Sequence, residues 1–148
     1  MNADEVYIDP SALLALYVHS PRSRTLGTWR TQVRGALSIT RFGHAELVNA
    51  VALARFRDHI SAEEFAKALI HVSTDFADGD LRFVDLLWRA ALDRAAEISR
   101  QYVPDLGVRS QDVLHVASAL ELGVRQFVTY DERQARLAEA CGLKVVRP

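Results

Sequence analysis

The chain of 148 residues has one cysteine, one methionine, two lysines and no long apolar run, and each shortage excludes something. A single cysteine rules out an intrachain disulfide. Cys141, between Ala140 and Gly142, reads as a small apolar filler and not as a nucleophile, so redox chemistry finds no support. The longest apolar stretches, such as Ala12 to Val18, fall well short of the roughly 20 residues of a membrane span. The opening Met-Asn-Ala-Asp-Glu lacks the basic and apolar regions of a signal peptide, so a soluble cytoplasmic protein without membrane contact is expected. A net charge of -1 lacks the basic excess of proteins that coat nucleic acid through bulk charge. Acids are missing altogether between Asp9 and Glu46, where Arg22, Arg24, Arg30, Arg34 and Arg41 all fall. Because only Lys67 and Lys144 of the 18 basic residues are lysines, positive charge resides almost wholly in guanidinium, the better fork for phosphate oxygens. Taken singly, each arginine is more readily a solvated helix surface than a phosphate contact.

What is present is a 49% hydrophobic composition, enough to bury one core, so a single domain over residues 1–148 is expected. Val6 to Ile8 reads as a buried strand, followed by a helix that Asp9 caps and Pro10 opens, running through Leu13, Leu14, Leu16 and Tyr17. A second amphipathic segment covers Ser23 to Arg34 and stops at Gly35, before a strand from Ala36 to Ile39. Phe42, Ala45, Val48, Ala52 and Phe56 then recur at helical spacing, and Ser61-Ala-Glu-Glu64 matches a capping box opening the helix of Phe65, Leu69 and Val72. These two helices are expected to pair antiparallel. After the turn Asp78-Gly79-Asp80 come a strand Leu81 to Val84 and a long helix marked by Leu87, Ala91, Ala95, Ile98 and Tyr102, ending before Pro104. A loop from Pro104 to Arg109 leads to a helix Gln111 to Leu122 capped by Ser110 and ended by Gly123. Strand Gln126 to Thr129, helix Glu132 to Ala140 and strand Lys144 to Val146 complete the chain. Strands separated by helices predict an α/β fold with a parallel, helix-covered sheet.

Ligands in open parallel sheets bind outside the carboxyl ends of the strands. Four acids are placed for that edge: Asp9 and Asp131 just past strands, Asp112 heading a helix, and Glu46 about two turns into another, leaning back toward the edge. Individually, Asp9 and Asp131 are acceptable helix caps and Asp112 an acceptable dipole partner. Glu46 is harder to explain so, because Phe42, Gly43, Asn49 and Ala50 offer it no helix-surface ion pair. Four carboxylates brought together repel one another unless a cation balances them. Without a histidine pair or cysteine cluster, such a site suits Mg²⁺ or Mn²⁺ and not Zn²⁺. His115 shares a face with Asp112 and is a candidate contact, although a lone histidine there is more often structural.

The segments Val-Tyr-Ile-Asp9-Pro-Ser-Ala-Leu-Leu, Thr40 through Glu46-Leu-Val-Asn-Ala, Ser-Gln-Asp112-Val-Leu-His-Val-Ala-Ser-Ala and Phe-Val-Thr-Tyr-Asp131-Glu-Arg-Gln follow one another in an order that resembles PIN-domain proteins, specifically VapC-type toxins. Pro10, beside the first acid, is a mild departure that stiffens the turn. The resemblance implies a three-layer α/β/α sandwich, a Mg²⁺- or Mn²⁺-dependent endoribonuclease, a homodimer, and neutralisation by a VapB-type antitoxin. It puts the metal site on Asp9, Glu46, Asp112 and Asp131, with Ser11 and Thr129 as polar neighbours. Such a site supports in-line attack of metal-activated water on an RNA phosphodiester without a protein nucleophile. Arg109, three residues before Asp112, is the arginine expected to touch substrate. Competing expectations are a PIN-domain RNA-processing nuclease, a PIN scaffold that does not cut, and a phosphoacceptor signalling domain. The last needs a lysine after a strand, and neither Lys67 nor Lys144 supplies it. The short chain favours the toxin over the processing enzyme.

Overall fold

Three-residue strands set the frame of the computed structural model, which describes residues 1–148. β1 (Val6–Ile8) pairs in parallel with β4 (Gln126–Val128), and β4 with β5 (Lys144–Val146). β2 (Leu37–Ile39) and β3 (Leu81–Phe83) form a second parallel pair. β1 lies beside β2, and the two are tied ahead of the strands by a parallel bridge from Asn2 to Arg34, so the spatial order is β3-β2-β1-β4-β5.

Alternation along β1 splits the core into two layers, since successive strand side chains point to opposite faces. Val6 and Ile8 join a cluster with Leu13, Leu26, Trp29, Leu37, Leu47 and Val72, under α1 (Pro10–Leu13), α2 (Ser23–Gln32), α3 (Arg41–Phe56) and α4 (Ala62–Asp78). Tyr7 points the other way, into a cluster with Ile98, Val113, Phe127 and Leu137, under α5 (Trp88–Leu106), α6 (Ser110–Glu121) and α7 (Glu132–Ala140). Tyr7 and Phe127 are register partners, and their rings stack with centroids 5.4 Å apart. The result is the expected α/β/α sandwich. No helix is long and apolar enough to cross a membrane.

Local chemistry explains most boundaries. The capping box at Ser61 is complete, with its hydroxyl accepting from Glu64 N–H and the Glu64 carboxylate from Ser61 N–H. Thr40 caps α3 by accepting from Gly43 N–H at 2.9 Å, and a Cβ at Gly43 would stand 3.1 Å from the Ile39 side chain. Glycine there lets α3 begin flush against the end of β2, which brings Glu46 within reach of the sheet edge.

Several expectations are corrected. The first helix leaves α geometry after Leu13 and closes as a 3₁₀ turn over Leu14–Leu16, where Leu14 C=O accepts from both Tyr17 and Val18. The buried face of α3 is Gly43, Leu47, Val51 and Ala54, while Ala45, Ala52 and Phe56 face solvent. The helix carries apolar residues on both sides, so spacing alone selected the wrong stripe. Pro104 lies inside α5, which continues to Leu106 and ends at Gly107 in left-handed conformation. Proline there removes one backbone donor near the helix end, a loss that packing against α6 offsets. Finally, Ser110 is the first residue of α6 and makes no capping hydrogen bond; Arg109 holds the cap position.

Candidate functional site

Three of the four acids are positioned by the start of a helix. Asp9 caps α1 and is nearly fully buried, at 3% exposure. Its Oδ2 accepts from Ser11 N–H at 3.0 Å and from the Ser11 hydroxyl, and its Oδ1 accepts from Gln134 Nε2 at 2.9 Å. Asp131 caps α7 by accepting from Gln134 N–H at 2.8 Å and is exposed. Asp112 stands in the first turn of α6, half-buried. Burial first, then the charges of Asp9 and Asp131, push its carboxyl up to about 6, against the opposing influence of His115 and Arg109. Burial is the larger cause of that shift, and the two neighbouring carboxylates add to it.

Glu46, in the second turn of α3, has a partner that the sequence did not disclose. Its Oε2 accepts a hydrogen bond from His115 Nε2, and His115 Nδ1 lies 2.6 Å from the Tyr7 hydroxyl. A carboxylate only accepts, so Nε2 carries a proton in this network, and Nδ1 and the Tyr7 hydroxyl share the second hydrogen bond. Burial, then the charge of Asp9, raises the Tyr7 hydroxyl far above its ordinary range and keeps it a phenol. His115 is 1% exposed and stacks on Phe42 with centroids 5.3 Å apart. The histidine is therefore a buried bridge between β1 and α3, and it gives Glu46 the partner that its helix neighbours do not supply.

Replacing His115 with phenylalanine keeps the ring packing and removes both hydrogen bonds. The expected cost is about 2 kcal/mol in urea unfolding at pH 7, since the Tyr7 hydroxyl is left buried without its partner. A change below about 0.5 kcal/mol would show that the relay contributes nothing to stability.

Asp9, Glu46 and Asp112 line one cleft of about 430 Å³ with Ser11, Asn49 and Gln111. Asp131 stands outside this lining, and Gln134 connects it to Asp9. The donor set fits a hard cation, being oxygen only, and the raised Asp112 carboxyl marks a local excess of negative charge. As arranged, no three of these groups converge as metal ligands: Glu46 turns to His115, and Asp9 is engaged by Ser11 and Gln134.

Of the other expected residues, Ser11 contacts Asp9 directly. Thr129 is fully buried, accepts from Asp131 N–H at 3.1 Å and donates to Gln134 Oε1 at 2.6 Å. Arg109 is exposed at the head of α6, and its charge reaches Asp112. Gln134 was missed. It is fully buried and joins Asp9, Thr129 and the Asp112 carbonyl, the last at 3.4 Å. Its one sequence signal, a glutamine three residues after the cap Asp131, points to a capping pair and conceals the link to Asp9. Tyr7 was missed as well, because a tyrosine in an apolar strand reads as core.

The sequence model of the PIN domain matches residues 6–140. The chain belongs to the PIN-domain family. PIN domains are in general nucleases, and such nucleases in general use divalent metals. No curated protein matches the chain. Among solved structures, this PIN domain is similar to a chain of VapBC2 from Rickettsia felis bound to a DNA fragment from their promoter, at 15% identity and a TM-score of 0.61, covering 99% of this chain and 98% of that one. It is also similar to a chain of FitAcB from Neisseria gonorrhoeae, at 18% identity and a TM-score of 0.58, covering 95% of each.

Proposed function

We propose that this protein is a Mg²⁺- or Mn²⁺-dependent endoribonuclease of the VapC type, formed as one PIN domain over residues 1–148 and neutralised by a VapB-type antitoxin. The observation that carries the reading is the cleft at the carboxyl edge of the sheet, where Asp9, Glu46 and Asp112 share one wall and Asp112 is pushed up to about 6 by burial and by Asp9 and Asp131. A set of carboxylates at mutual electrostatic cost is a set awaiting a cation. The likeness to VapBC2 supports the toxin role over an RNA-processing one.

In this reading Asp9, Glu46, Asp112 and Asp131 hold the ion. Bound there, Mg²⁺ or Mn²⁺ supplies the charge that activates water and neutralises phosphate oxygens. Ser11 and Gln134 hold the Asp9 carboxylate in one orientation, which reduces the reorganisation needed on binding. Thr129 fixes the head of α7 and with it Asp131. Arg109, exposed beside Asp112, meets the phosphate backbone, and Arg22 next to Tyr130 and Arg41 just past β2 provide further phosphate contacts, whereas Arg30, paired with Asp80, and Arg34, bridged to Asn2, lie ahead of the strands at the opposite edge. Ligation by Glu46 would take the place of its hydrogen bond to His115 Nε2.

The test combines metal and RNA. Calorimetric titration with Mn²⁺ is expected to give saturable binding, and single-stranded RNA is expected to be cut in Mg²⁺ or Mn²⁺ and spared in chelator. Failure to bind Mn²⁺ at any accessible concentration would leave a PIN scaffold in place of a nuclease. Expression is expected to arrest growth, with relief by a co-expressed small partner protein; cutting without arrest would support the RNA-processing enzyme. Sedimentation of the purified chain tests the expected homodimer.

A further inference from the structure

Beside the acid-lined cleft lies a second hollow of about 440 Å³ that the catalytic reading does not use. The two share Ser11, Ala50 and Leu53, so they are consecutive parts of one surface path. Their electrostatics are opposite. The second hollow has no acid in its lining, and His19, Arg22, Arg57 and His59 border an apolar floor that includes Leu14 and Val18. The Arg22 guanidinium carbon stands 4.5 Å from the centroid of the Tyr130 ring, and Tyr130 is the residue immediately before Asp131. A cation–aromatic pair thus forms part of the wall of the hollow.

We propose that this hollow is a nucleotide subsite, holding one unpaired base adjacent to the scissile phosphate against the Arg22–Tyr130 pair, with Arg57 facing the flanking phosphate. The inference rests on the ribonuclease reading and assigns the part of the substrate that lies next to the cut. An apolar floor with an aromatic and a guanidinium group suits a base, which presents a polarisable face and stacks on either. A basic border suits the phosphates on each side of that base. The volume lies at the low end of the about 300–1,000 Å³ of ligand pockets, which suits a nucleoside better than a helix of a partner protein. A base must be unpaired to enter, so the subsite selects single-stranded or looped RNA.

The experiment measures the binding of short fluorescent single-stranded oligoribonucleotides to the full chain in chelator, where cutting is suppressed. A single abasic ribose is moved through the sequence one position at a time. In the wild type, one position next to the cut site is expected to lose affinity by about tenfold when its base is removed. Tyr130→Ala and Arg22→Ala are each expected to weaken the intact oligonucleotide by about the same factor and to abolish the abasic effect at that position, while Tyr130→Phe retains both. Arg22 is exposed, so Arg22→Ala carries the test even if Tyr130→Ala fails to fold. An abasic effect that persists unchanged in Arg22→Ala, or a flat profile in the wild type, overturns the subsite. Variants that bind RNA like the wild type and escape the antitoxin also overturn it, since the hollow then serves a protein. A wild type that cuts no RNA in Mg²⁺ or Mn²⁺ defeats the ribonuclease reading itself, whereas a cutting wild type with a flat profile defeats only the subsite.

Discussion

Asp112→Asn is expected to lower RNA cleavage by about a thousandfold or more while making the metal-free protein more stable at neutral pH. The first effect follows from losing one charged ligand of the proposed ion, and a thousandfold corresponds to about 4 kcal/mol of transition-state stabilisation. The second follows from the raised carboxyl. Its folded value of about 6 lies above the ordinary aspartate value of 3.8, so the folded state holds this proton more tightly than the unfolded chain. The corresponding stability is complete below about pH 4 and disappears as pH rises through about 6, above which a half-buried charge faces Asp9 and Asp131. For a fully buried group the shift would be worth about 3 kcal/mol; with half-exposure and solvent screening, about 1 to 2 kcal/mol remains. Asparagine carries no charge, so in chelator the variant gains this amount over the wild type at pH 7 and nearly none at pH 4. Urea unfolding at the two pH values measures one effect and a cleavage assay the other. Wild-type cleavage rates in the variant would remove Asp112 from the machinery, and an equal gain at both pH values would mean that its charge is not strained.

Gln134→Leu is expected to cost about 2 to 3 kcal/mol of stability and to weaken Mn²⁺ binding and cleavage by about ten- to a hundredfold. Leucine has a similar size and fills the space, so packing is preserved and the loss reports on hydrogen bonds. Without the amide, buried Asp9 Oδ1 loses its donor and the Thr129 hydroxyl loses its acceptor. The orientation of Asp9 then depends on Ser11 alone, whose contacts are local to the turn. Gln134→Glu keeps the shape but sets a further carboxylate against Asp9, so a greater loss of stability in chelator is expected, with part of it restored by Mn²⁺. Calorimetric titration separates positioning from plain stability. A variant that is less stable yet binds Mn²⁺ like the wild type would show that Gln134 only holds the fold.

The strand and helix sequence was largely legible because each element carries its own local signals. Val6 to Ile8 is uniformly buried, Asp9-Pro10 caps and starts a helix, Ser61 and Glu64 form a capping box, and Gly79 stops the next helix in left-handed conformation. Readings failed where a choice rested on surroundings. The buried side of α3 depends on which neighbours cover it, and its sequence is apolar on both sides. Pro104 is a strong stop signal, yet the contacts of α5 with α6 carry the helix past it. Of the candidate site, the acids were legible because carboxylates near strand ends stand out in an apolar sequence, and Gln134 was passed over because a neutral amide does not.

The sequence by itself determined the chemistry available: oxygen donors without a histidine pair or cysteine cluster, arginine as almost the only cation, and four acids, three of them at element boundaries. Those are properties of residue type and local pattern. Tertiary structure alone decided who meets whom. It turned Glu46 to His115 and His115 to Tyr7, across separations of 69 and 108 residues, and joined Asp9 to Gln134 across 125. It also set a basic hollow beside the acidic cleft, by bringing Arg22 over Tyr130. Such pairs leave no periodic trace, because a hydrogen bond across the core depends on the register and crossing of elements and not on spacing within any one of them.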